Sequence, residues 1–207
     1  MVGRKDKPKD LREACLREAL AIIDAEGVEK LSLREVARRV GVSHQAPYKH
    51  FPSRDHILAE IVARAFESFA QYLDQRPRAG NAHEDLMGMA RDYLSYAAAH
   101  PLQYRLMFGT PLPDTEAHPR MMEQARHAFS LLSDGLRRLT PEPEGAGAED
   151  GVLLDAVFIW SALHGFSGIS GGGAMKGLRI PQAVADKAAP YLLAQLSDAL
   201  ERRGGDR

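Results

Sequence analysis

An all-helical chain with a small N-terminal head and a larger helical body is predicted here by three observations. Apolar residues recur three to four positions apart along almost the whole length. No stretch alternates β-branched and polar residues with period two, so no strand is expected. Glycine and proline cut the pattern into segments of ordinary helix length. The first stripe is Leu11, Cys15, Ala19, Ile22 and Ile23, stopped by Gly27. Leu33, Val36, Ala37 and Val40 form the second, stopped by Gly41, and a third runs from Ile57 through Leu58, Ile61, Ala65 and Phe69 to Leu73. Helices are expected next over 83–99, after His100-Pro101 up to Phe108, over 121–139, over 152–169, and from Pro181 to Leu200. Proline-rich 109–119 and glycine-rich 141–151 read as loops, giving about nine helices and no sheet.

The 207 residues are 44% hydrophobic and 27% charged, enough apolar content for real cores and too balanced for disorder. No run is expected to reach the roughly 18 apolar residues of a membrane span. The charged start, Met1 to Lys7, lacks the apolar stretch of a secretory signal. A single cysteine, Cys15, excludes an intrachain disulfide, and its apolar stripe makes it a small core residue rather than a redox sensor. A reducing cytoplasm is the expected address. The net charge of −1 is unevenly spread: residues 1–56 hold 12 Lys+Arg against 9 Asp+Glu, the rest 15 against 19. A basic arm over 1–10, a head over 11–56, an acidic body over 57–202 and a tail over 203–207 follow from that division.

The head carries the most specific local chemistry. Ser32-Leu33-Arg34-Glu35 fits a capping box, in which serine accepts from the Glu35 N–H and the glutamate reaches back to the Ser32 N–H. The helix it opens turns Val36, Ala37 and Val40 inward; Arg34, Arg38 and Arg39 must face out, either as a solvated face or toward an anionic partner. Gly41 supplies the left-handed turn, Val42 plugs the core, and Ser43 caps a further helix expected over 43–50. Helix, glycine turn, helix is the helix-turn-helix signature, whose second helix lies in the major groove of DNA. On that helix His44 and Gln45 sit where base edges are met: Gln45 suits adenine, His44 a guanine acceptor. Tyr48, Lys49 and His50 suit phosphate oxygens, and Phe51 should fold back into the core. Ser53 should cap the third helix, with Arg54 at its N-terminus placed for another phosphate.

The run Leu33-Arg34-Glu35-Val36-Ala37-Arg38-Arg39-Val40-Gly41-Val42-Ser43, followed by Tyr48-Lys49-His50-Phe51-Pro52-Ser53-Arg54, resembles the DNA-binding domain of the tetracycline-repressor family. The resemblance covers about Leu11 to Leu58. It implies a homodimer whose heads bind the half-sites of a palindromic operator, with Ser32, Tyr48, Lys49 and Arg54 on phosphates and His44 and Gln45 nearest the bases. Ser32, Arg34, Ser43, His44, Gln45, Tyr48, Lys49, His50 and Arg54 are the candidate DNA contacts. Pro47 departs from the family, which often has a small aliphatic residue there. Removing at most one hydrogen bond near the first turn, it should leave the helix intact but alter its tilt.

Trp160-Ser161-Ala162-Leu163-His164-Gly165, with His100 to Gly109 upstream, resembles a narrower subgroup of ligand domains marked by a Trp…His-Gly signature. That resemblance implies a four-helix interface between two copies, built from 152–169 and 181–200, with Phe158, Trp160, Leu192, Leu196 and Leu200 as candidate interface residues. Tyr96, Tyr104, Met107, Phe108, Met121, Phe129, Trp160 and His164 offer the apolar-plus-polar mixture of a small-molecule pocket. Each is equally an ordinary core residue, and His164 a hydrogen-bonded buried imidazole.

The function read from these residues is a ligand-responsive, sequence-specific transcriptional regulator, most simply a repressor released from its operator by a small molecule. No cofactor or metal is implied, and no membrane partner. An enzyme is not expected: Gly168-Ile169-Ser170-Gly171-Gly172 matches a nucleophile elbow in letters, yet a helix precedes it and no histidine follows it. The eight histidines fall in no metal-ligand spacing. The alternative is a sensor or interaction protein whose head no longer reads DNA.

Overall fold

The computed structural model describes residues 10–139 and 148–205. All of the expected basic arm but Asp10, most of the loop expected at 141–151, and the last two residues of the tail lie outside the described residues. Nine α-helices and no strand are present among those described. They form two compact units, Met1–Phe66 with Leu102–Ala125, and Glu67–Pro101 with Arg126–Arg207. The boundary expected at 56/57 falls inside a continuous helix, Arg54–Asp74.

In the first unit, α1 (Leu11–Glu26) starts where the Asp10 side chain accepts the Glu13 N–H at 3.1 Å. It buries Cys15, Ala19, Ile22 and Ile23, the expected stripe. It stops at Gly27, whose φ of +92° few other residues adopt. A 3₁₀ turn, Val28–Lys30, leads to α2 (Leu33–Val40). Half of the expected capping box forms: the Ser32 hydroxyl accepts the Glu35 N–H at 3.2 Å. The Glu35 carboxylate is drawn the other way, to Arg38 and Arg39, because two guanidiniums outweigh one backbone N–H as partners. Gly41 closes α2 in the left-handed region, φ +80°, with its N–H on the Ala37 carbonyl. Phe51 returns to the core at 2% exposure, whereas Val42 is only half-buried.

The α-helix expected over 43–50 is not formed. The segment is a chain of tight turns ending in a 3₁₀ helix, Pro47–Lys49. Proline supplies the reason. Pro47 has no N–H to reach the Ser43 carbonyl, which accepts from Ala46 three residues on, at 2.9 Å. The tighter i→i+3 pattern then repeats, Lys49 donating to Ala46 and His50 to Pro47. The ring of Pro47 is buried, so the segment is anchored by the residue that interrupts it. The same unit holds the first half of α3 (Arg54–Asp74), α5 (Pro101–Phe108) after the start of its first residue, and the opening of α6 (Pro119–Leu139).

The second unit takes α4 (Ala82–Ala99), the remainder of α3 and α6, α7 (Ala148–Gly171), a short α8 (Ala174–Gly177) and α9 (Gln182–Gly205). Asn81 caps α4 through the Glu84 N–H at 2.7 Å. The short α8 was not expected within so glycine-rich a stretch, and α9 carries Pro190 in its interior. On α7, Val152, Ala156, Ile159 and Leu163 form one buried face at helical spacing. The other side leaves Leu153, Leu154, Val157 and Phe158 exposed, Leu154 at 69% and Phe158 at 55%.

Two expectations are corrected here. Leu196 and Leu200 are buried within their own unit, at 3% and 7% exposure, and so cannot face a second copy; one turn of α9 spends its leucines on its own core. Phe158 and Trp160 remain exposed, and Leu192 partly so. The stretch Glu149–Gly171 also proves long and apolar enough to cross a membrane by length and composition, contrary to the expectation that no run would be. One such helix is weak evidence of a span, and this one opens on Glu149 and Asp150.

Candidate nucleic-acid interface

α2, the Gly41 turn and the 43–50 segment place one group of polar side chains on a single connected stretch of the head. Ser32, Arg34, Ser43, His44, Gln45, Tyr48, Lys49 and His50 are all solvent-exposed. The burial of Pro47 fixes the segment while Tyr48, next to it, stands 47% exposed. The physical setting for Tyr48 and Lys49 is therefore a rigid turn rather than a helical shaft.

The basic residues of this region divide sharply. Arg39 is held between Glu35 (2.9 Å) and Glu26, and Arg38 makes a two-pronged contact with Glu35 (2.6 and 2.8 Å). Hydrogen bonds from Arg38 and Arg39 hold the Glu35 carboxyl down at about 2, so it stays ionised and keeps both guanidiniums occupied at neutral pH. Arg34 and Lys49 make no ion pair among the described residues, and both are exposed. They are the available cations.

Arg54 has another occupation than the one expected. Its Nη2 donates to the Val28 carbonyl at 2.8 Å and its Nε to the Leu31 carbonyl at 3.2 Å, tying the start of α3 to the turn between α1 and α2. Its Nη1 meets Asp55 at 3.1 Å. The two carbonyls are 23 and 26 residues away in sequence, a distance at which no local pattern announces a partner. Ser53 behaves as expected, accepting the His56 N–H at 3.4 Å.

The eight candidate pocket residues fall into separate groups. In the first unit Met107 and Met121 are buried, and Phe108 stacks edge-on with Phe66 at 5.6 Å and tilted against Tyr104 at 5.1 Å. In the second, Tyr96 is almost fully buried among Phe69, Tyr72 and His100, and its hydroxyl donates to Ser68 at 3.5 Å. Burial pushes the Tyr96 phenol upward against that hydrogen bond, so it stays a neutral donor. Trp160 meets Phe129 and His164, each ring at 6.1 Å.

Residues 16–61 match the description "bacterial regulatory proteins, tetR family", and residues 86–196, more than half of the chain, match "tetracyclin repressor-like, C-terminal domain". The chain belongs to the tetR family. The regulator is 27% identical over 193 residues to the uncharacterized HTH-type transcriptional regulator Rv0681 of Mycobacterium tuberculosis, spanning 93% of this chain and 82% of that one. The HTH-type transcriptional regulator Rv1816 of the same species is 30% identical over 96 residues, which are 45% of this chain and 41% of that protein. Among solved structures, the regulatory protein SCO4313 superposes with a TM-score of 0.73 at 26% identity, covering 90% of this chain and 94% of its own. The 16–61 match contains both α2 and the 43–50 segment, so the exposed polar stretch lies inside the region matched to the family. The Trp160…His164-Gly165 signature lies within the C-terminal match, whose description names the domain and no subgroup.

Proposed function

We propose that the regulator is a homodimeric repressor whose paired heads occupy the half-sites of a palindromic operator and release it when a small molecule fills the helical body. One observation supports the DNA contact most strongly: His44, Gln45, Tyr48 and Lys49 are exposed on a turn pinned from beneath by buried Pro47. Lys49 and Arg34 supply charge to phosphates, Tyr48 and Ser32 supply hydroxyls, and Gln45 and His44 meet base edges. Ser43 and His50 flank that surface. Arg54 acts from behind, holding the turn beneath the first helices, and adds charge to the field rather than a direct contact.

The exposed apolar side of α7, centred on Leu154, Val157 and Phe158, supports pairing of two copies through that helix and Leu192 of α9. A side chain such as Phe158 is stabilised by roughly 1.5–3 kcal/mol on full burial, and no membrane is needed to explain a helix covered in this way. The heads then sit at a spacing that matches successive major grooves, about 34–36 Å apart, in one of the states the dimer samples. Ligand in the body favours another spacing through α3, and by linkage each partner weakens the other's binding. In this reading Tyr96, Trp160 and His164 supply the polar atoms that orient such a ligand.

The test is selection of binding sequences from random duplex DNA with the intact dimer. A palindromic site preferred over random DNA by about 10³-fold or more, with affinity falling steeply in salt, is the expected result. Equal competition by all sequences would contradict it, and would favour a head that no longer reads DNA.

A further inference from the structure

The outer side of α7 changes character along its length. Val152, Ala156, Ile159 and Leu163 face inward, and on the opposite side Leu154, Val157, Phe158, Ser161, Gly165 and Gly168 recur at helical spacing. All six are exposed. The half before Ser161 is large and apolar, and the half after it carries no side chain. A methyl group added at Gly165 or Gly168 would meet nothing within 4 Å, so the two glycines leave a notch that no described residue fills. Glycine inside a helix lowers its stability relative to alanine, and no close approach among the described residues calls for it at either position.

We propose that two copies of the chain meet along this face with their α7 helices antiparallel and the two-fold axis at Ser161. Resting on the homodimer proposed above, this adds the orientation and the register of the pair. In a two-fold contact, residue i of one copy meets j of the other and j meets i. Each position then faces the one equally far beyond Ser161: Leu154 meets Gly168 of the second copy, and Val157 and Phe158 meet its Gly165. The large side chains of each copy enter the notch of the other, and the fit is made twice. A parallel pairing would set Phe158 against Phe158 and glycine against glycine, crowding one end and leaving a void at the other.

Charge favours the same orientation. In the first turn of α7, Glu149 is held by Arg137 at 2.5 Å, whereas Asp150 is exposed and makes no ion pair among the described residues. Beyond the other end of the helix, Lys176 of α8 is likewise exposed and unpaired among them. The antiparallel register brings Asp150 alongside Gly172 of the second copy, next to the turn that carries Lys176. A parallel one would bring Asp150 to Asp150, like charge to like.

The experiment is disulfide cross-linking of the intact chain under mild oxidation, beside sedimentation equilibrium. Cys15 is buried, and the wild-type chain gives the background. Ser161→Cys should link most chains in pairs, because the axis brings its two copies within the Cα separation of roughly 4.4–6.8 Å that a disulfide spans. Leu154→Cys should stay at background, since its two copies lie about 20 Å apart along antiparallel helices at a rise of about 1.5 Å per residue. Gly165→Leu should raise the dimer dissociation constant at least about tenfold by filling the notch. Leucine is the better helix former, so that loss is not a loss of helix. Adding Phe158→Ala to Gly165→Leu should recover at least about threefold by restoring the room. The register is overturned if the chain dimerises yet Ser161→Cys links no better than Leu154→Cys, if Gly165→Leu leaves the constant unchanged, or if the double variant recovers nothing. Each of those results leaves the homodimer standing. A wild-type chain that sediments as a monomer at every concentration overturns both.

Discussion

The outward surfaces of the two units differ in kind. Among its described residues the first leaves only Leu112 and Tyr48 of its large apolar side chains exposed, and turns His44, Gln45, Tyr48 and Lys49 outward on a firm turn. The second leaves Leu153, Leu154, Val157 and Phe158 in a row on α7. A polar, cationic, rigid surface suits a wet and highly charged partner, whose affinity depends on salt. An apolar helical face suits a dry partner, whose affinity depends on area removed from water and hardly on salt. On the proposed reading one chain carries two recognition surfaces that obey different physics, and each can be broken without touching the other.

The largest effect should come from Phe158→Glu. Placing a charge in a dry interface costs several kcal/mol, so sedimentation equilibrium should show dimer dissociation rising by at least about 100-fold, while circular dichroism keeps the helical signal. Next is Lys49→Ala, which should lower affinity for every DNA sequence about tenfold and reduce the slope of log affinity against log salt by about 1. The dimer constant should not move. Gly41→Ala forces a side chain into a left-handed turn (φ +80°) and should cost about 1–2 kcal/mol of stability by urea denaturation. Smallest is the pH effect at Glu35. Its folded value, about 2, lies below the unfolded one, so its contribution is full above the ordinary carboxylate range and fades as pH falls toward 2. Glu35→Gln should remove that part of the acid-side slope in thermal unfolding. It should also free Arg38 and Arg39, making the head's DNA binding more salt-sensitive.

What could be read from the residues follows the range of the interactions involved. The stripes of α1, α2 and α3 and the stops at Gly27 and Gly41 are local, period-based signals, and they appear in the structure where they were expected. Pro47 is visible in the sequence too, but its effect depends on which donor the freed carbonyl takes instead. Losing one donor does not merely subtract a bond; it shifts the neighbouring carbonyl to the i→i+3 partner, and a segment of eight residues has too few turns to recover. Arg54 was beyond reach because the two carbonyls it holds lie 23 and 26 residues away. Leu196 and Leu200 show the same limit on α9: a helix apolar on several sides announces burial, not which neighbour provides it. Arg38 and Arg39 looked equivalent to Arg34 in the sequence, and only the positions of Glu26 and Glu35 separate them.

The central claim is that the exposed 43–50 turn is the surface that meets operator DNA. Amide hydrogen exchange of the intact dimer, with and without its selected operator, tests it most directly. The account predicts added protection at residues 32–34 and 43–50 and no change across 153–160, which the proposed pairing of two copies already covers. Added protection on α7 with none in the 43–50 segment would contradict it.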